Sequence, residues 1–155
     1  MHNTRLHMGH LYTGVLLSGI HPGMIVSPYT AFTSERNKED VWESVRSREF
    51  PSRPSRRDAL FLFDNEDDLR KATSKWWSTQ SRHALRVHIV QGSLMHRADS
   101  QLLDSDKDDY EENARRYWSG LQTDDPIFEV VVQGQVYFPD WDTFPPLFAN
   151  ISSSP

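Results

Sequence analysis

Residues 127–138 read IFEVVVQGQVYF, and the reading of this stretch decides the fold class. Branched and aromatic side chains dominate it, so the backbone prefers an extended strand. The run predicts a strand from Ile127 to Val132 that continues through a kink at Gly134 to Phe138. Glu129 is the only charged residue inside. Period-2 alternation sets it on the face of Ile127 and Val131, where a carboxylate is costly unless it meets solvent, a cation or a ligand. Two readings stand: a solvated glutamate near the start of an open sheet face, or a carboxylate presented to a cleft.

Immediately before this strand lies DSDKDDYEENARRYWSG, residues 104–120. Its acids come first and Arg115 and Arg116 last, as the helix dipole favours, while Tyr110, Ala114, Tyr117 and Trp118 share a face. Gly120 is the expected stop. Further back, Leu85, Val87 and Ile89 alternate with Arg86 and His88 and predict a strand from His83 to Val90. Ala59 to Phe63 predicts a compact strand, followed by a helix opened by DNEDD (residues 64–68) and running to about Trp77. Val41, Trp42 and Val45 mark the inward face of a helix from Glu35 to Arg46, with Thr33 or Ser34 as its N-cap. The first strand is HLYTGVLL (residues 10–17), followed by a turn at Ser18 to Gly23 and a short apolar run at Met24 to Val26.

Between the first helix and the Ala59 strand, SREFPSRPSRR (residues 47–57) carries four arginines and two prolines, which predicts a loop. Guanidinium forks suit phosphates, so this loop reads either as an anion grip or as a solvated basic turn. It interrupts an acidic chain. The formal charge of −5 removes the electrostatic reason for a broad duplex nucleic-acid surface. No cysteine is present, which excludes disulfides, thiolate metal sites and a cysteine nucleophile. DSDKDDYEENAR lacks the glycine and the final glutamate of a calcium loop, and the histidines lack ligand spacing, so no metal site is expected. Motifs for a hydrolase elbow, a P-loop or a dinucleotide fold are absent. No stretch is apolar enough to span a bilayer, and the expected location is cytoplasmic.

The 155 residues match the size of one domain, and five tryptophans, five tyrosines and eight phenylalanines supply its core. The expected organisation is a flexible leader over residues 1–9, a single domain over 10–140 and an irregular tail over 141–155.

The order of the parts resembles small ADP-ribosyltransferase-like domains. It is carried by LYTG, HPGMI, the basic PSR loop, ALFLFDNEDDLRKA, HALRVHIV, ARRYWSG and FEVVVQG, over roughly residues 10–138. TGVLLSGIHPGMIV is similar to the H-G-T and L-x-P-G-D motifs of rifampin ADP-ribosyltransferases. The resemblance implies an α+β fold with a split, mostly antiparallel sheet, flanking helices and a cleft for NAD as co-substrate. It implies Glu129 as the catalytic carboxylate, Tyr12, Thr13 and Gly14 at the nicotinamide end, Ser55 and Arg56 beside the ribose or pyrophosphate, and Phe63 lining the nicotinamide pocket. Thr13 stands where the rifampin enzymes carry a histidine, and Ile127 where arginine-specific transferases carry a second acid. The acceptor would be a protein, a nucleic acid, a small molecule or, in an NAD glycohydrolase, water. The alternative is a non-catalytic interaction protein on the same fold, such as a phage or defence-system factor, with Tyr117 and Trp118, or Trp141, as binding anchors.

Overall fold

The computed structural model describes residues 6–12, 25–26, 36–76, 82–138 and 148–149. In chain order these form β1 (Leu6–Tyr12), β2 (Ile25–Val26), α1 (Arg36–Glu49), β3 (Leu60–Leu62), α2 (Glu66–Trp76), β4 (Arg82–Ile89), β5 (Leu94–Asp99), α3 (Tyr110–Ser119), β6 (Phe128–Gln133), β7 (Val136–Tyr137) and β8 (Phe148–Ala149). The architecture is α+β. One sheet has the order β1-β4-β7-β2, with β8 also on β4, and the other has the order β3-β6-β5. Every pair whose register is resolved runs antiparallel.

The chain divides into two compact units, each discontinuous in sequence. The first takes Met1–Ser27, Leu62–Gly92 and Gln135–Pro155. In it, β1 pairs with β4 along its whole length, from Leu6 opposite His88 to Tyr12 opposite Arg82. Residues 6–9, expected in a loose leader, are therefore strand, held by backbone pairing with β4. The tail expectation is corrected at Phe148–Ala149, which pair with Ala84 and His83 for the same reason. In α2, the Asn65 side chain caps the Asp68 N–H at 2.8 Å, and Leu69 and Ala72 are fully buried, as the spacing predicts.

The second unit takes Pro28–Phe61 and Ser93–Gly134. Its core gathers Trp42 and Val45 of α1, Ala114, Tyr117 and Trp118 of α3, Leu102, Ala98 of β5 and Val131 of β6. Trp118 Nε1 donates to the Trp42 carbonyl at 2.9 Å, and edge-to-face contacts join Trp42, Tyr117 and Trp118. The helix α3 stops at Gly120, whose φ of 86° suits glycine; Leu121 N–H then reaches back to the Arg116 carbonyl at 2.9 Å. Helix α1 runs three residues past its expected end at Arg46, because Ser47 to Glu49 continue its hydrogen bonding until Phe50 N–H closes on Arg46.

The kink expected at Gly134 is a change of sheet. β6 ends at Gln133, while β7 belongs to the five-stranded sheet. At Gly134, φ is 157° and a Cβ would overlap the side chain of Ser93, so only glycine fits.

Candidate functional site

Glu129 leads into the densest group of buried charges among the described residues. It is the second residue of β6 and lies opposite Ala98 of β5, whose single methyl leaves room for a longer neighbour. Alternation puts it on the face of Val131, toward the core shared with α1 and α3. Only 7 % of its surface is exposed, which rules out the solvated reading.

Arg56 and Tyr117 meet it there. Arg56, in a 3-10 turn over Arg56–Asp58, donates from Nη1 to Glu129 Oε1 at 2.5 Å and to the Tyr117 hydroxyl at 2.7 Å. That hydroxyl donates in turn to Glu129 Oε1 at 2.5 Å. From Nε and Nη2, Arg56 grips Glu39 of α1 at 3.0–3.2 Å. The guanidinium also lies 4.5 Å from the Phe61 ring centroid. Glu129 Oε2 accepts no hydrogen bond from any described residue.

The electrostatics follow from burial. Enclosure works against the Arg56 charge, but Tyr117, Glu129 and Glu39 outweigh it and push the guanidinium well above its ordinary value. Enclosure pushes the Tyr117 phenol well above its ordinary value of 10.0; Arg56 opposes this and Glu129 adds to it. The phenol therefore stays protonated. Beside the group, His96 of β5 donates from Nε2 to the Tyr117 carbonyl at 2.8 Å, which fixes its tautomer because a carbonyl can only accept. Burial lowers its pKa, the carbonyl bond opposes this and the Arg53 charge lowers it further.

The basic loop is tied down. Arg46 donates to the Arg53 carbonyl at 3.0 Å, the Ser55 hydroxyl donates to Glu43 at 2.9 Å, and Ser55 N–H donates to Gln133 Oε1 at 3.0 Å. Burial would raise the Glu43 pKa, but the hydrogen bonds from Arg46 and Ser55 outweigh it and lower it. Arg57 pairs with Asp40 at the surface.

Of the residues singled out in the sequence, Ser55, Arg56 and Glu129 belong to the second unit, and Arg56 and Glu129 touch. Arg56 has one N–H left after its bonds to Glu39, Tyr117 and Glu129, so its fork faces protein groups. Phe63 belongs to the first unit and is 1 % exposed. Tyr12 ends β1, while Thr13, Gly14 and Trp141 lie outside the described residues. Tyr117 and Trp118 are wholly enclosed and serve as core. Sequence reasoning missed Glu39 and the role of the Tyr117 hydroxyl. A signal existed for Glu39, three residues before Trp42 and six before Val45, which puts an acid on the buried face of α1.

No described helix is long and apolar enough to cross a membrane. No curated protein matches the chain. A family model described as "Protein of unknown function (DUF2441)" matches residues 20–140, most of the chain, and the protein belongs to that family.

Proposed function

We infer that the chain is an NAD-dependent ADP-ribosyltransferase-like protein in which Glu129 is the catalytic carboxylate. The observation that carries this reading is the half-tied state of Glu129: Oε1 is held by Arg56 and Tyr117, while Oε2 has no donor among the described residues. A carboxylate fixed through one oxygen has the other ready for a ribose hydroxyl and costs little reorganisation when positive charge develops nearby. In the reaction, the bond between nicotinamide and the ribose anomeric carbon breaks and its electron pair leaves with nicotinamide. The oxocarbenium-like carbon then takes a lone pair from the acceptor, which gives up a proton. Strand order supports the expected split sheet, with β6 between β3 and β5 in one sheet and β4 between β1 and β7 in the other. The acceptor is a protein, a nucleic acid, a small molecule or water.

Incubation with biotinylated NAD tests this. Wild-type protein should transfer label or release nicotinamide, and Glu129→Gln should lose either activity while remaining folded. Equal turnover by the mutant would remove Glu129 from the mechanism. NAD at a hundred times its dissociation constant should also stabilise the fold by about 2.7 kcal/mol.

A second reading, a non-catalytic interaction protein on the same fold, is favoured by one observation. Arg56 spends four of its five N–H groups on Glu39, Tyr117 and Glu129, as a purely architectural brace would. On that reading NAD neither shifts the melting temperature nor loses its nicotinamide.

A further inference from the structure

The geometry points to Tyr117 as a positioning residue that selects which oxygen of Glu129 faces a ligand, a role that rests on the reading of Glu129 as the working carboxylate. Three observations carry it. The Tyr117 hydroxyl accepts from Arg56 Nη1 at 2.7 Å, so its single proton is committed to Glu129 Oε1 at 2.5 Å. Arg56 Nη1 sends its other proton to that same oxygen at 2.5 Å, leaving Oε1 with two donors and Oε2 with none among the described residues. The tyrosine itself has no freedom to turn away. Its ring stands edge-on to Trp118 at 4.9 Å and to Trp42 at 6.2 Å, and its backbone carbonyl accepts the His96 bond at 2.8 Å.

Filling space does not require this hydroxyl. The ring of Tyr117 packs among Trp42, Ala114 and Trp118, a contact that phenylalanine would keep, whereas the hydroxyl reaches beyond that cluster to the buried charges of Arg56 and Glu129. A hydroxyl that accepts from Arg56 and aims its single proton at the one charged residue of β6 fits a task of orientation. The carboxylate is thereby held in one rotation about its terminal bond, with Oε2 outward from the two donors.

Tyr117→Phe tests the assignment, with two readouts taken on the full chain after circular dichroism has established that the variant is folded. The first is the Glu129 carboxylate band in the infrared, isolated as the wild-type minus Glu129→Gln difference in protein carrying carbon-13-labelled glutamate. Loss of a donor to Oε1 should shift this band, and an unshifted band in folded Tyr117→Phe overturns the proposal. The second is steady-state nicotinamide release from NAD. The variant should lose about a hundredfold in kcat with KM unchanged, as expected when a reacting group is misoriented and ground-state binding is untouched. A kcat equal to that of wild type, or a loss no larger than the fraction of protein unfolded, also overturns it. Wild-type protein inert toward NAD removes the functional reading itself; the infrared band then decides whether Tyr117 orients Glu129, since that signal needs no turnover.

Discussion

His96 shows how one buried side chain ties stability to pH. The residue is 6 % exposed, its imidazole packs tilted at 5.4 Å against Trp118 and bonds the Tyr117 carbonyl. Burial, with the Arg53 charge in support, holds its folded-state pKa below the ordinary value of 6.5. The unfolded chain therefore binds a proton that the folded chain resists. The stabilisation from neutral His96 is complete above that ordinary value and is lost as pH falls from it toward the lower folded value. Urea midpoints should drop between about pH 7.5 and about pH 5.5. His96→Gln keeps an N–H for the Tyr117 carbonyl but does not titrate, so its midpoint should fall less over the same range. An equal fall would place the sensitive group elsewhere. The same residue explains why β5 was not read from the sequence. The stretch LMHRAD buries His96, Ala98 and Asp99, two of them polar, so its buried side shows no apolar alternation.

At the scale of elements, α2 and α3 were legible because charge order and apolar spacing point to the same boundaries. The partners of Glu129 were not. Arg56 lies 73 residues from it along the chain, and no local pattern encodes a pairing closed only when a 3-10 turn meets the face of β6. Another long-range device is Asp99, fully buried at the end of β5. It accepts from Gln101 N–H, Thr123 N–H and hydroxyl, and Ile127 N–H at 2.7–3.0 Å, locking the segment before β6 onto the end of β5. The break between β6 and β7 is equally specific. At Gly134→Ala, the added methyl would meet the Ser93 side chain and backbone at a positive φ, with a cost of about 1–3 kcal/mol. Denaturant melts measure this directly; a loss below about 0.5 kcal/mol would mean that Ser93 moves aside freely.

For the whole molecule, the formal charge of −5 conceals an uneven arrangement. The arginine-rich stretch that looked free in the sequence is largely committed: Arg48 to Glu111, Arg56 to Glu39 and Glu129, and Arg57 to Asp40. The sheets are assembled from strands far apart in sequence. β1 must find β4 some 76 residues away, counted from Gly9 to its partner Leu85, and the chain enters and leaves each unit more than once. A fragment ending at residue 92 lacks β5, β6 and β7, so circular dichroism should find it unfolded. A cooperative melt from that fragment would show that the first unit forms without its later strands. During synthesis, the ribosome must release β7 before β4 gains that neighbour, and β6 before β3 and β5 have their shared centre. Nascent chains therefore carry unpaired strand edges until late in translation, and the topology predicts folding that is slow for the size of the protein. Chaperone dependence in the cell, more than equilibrium stability, should then set how much of this protein accumulates.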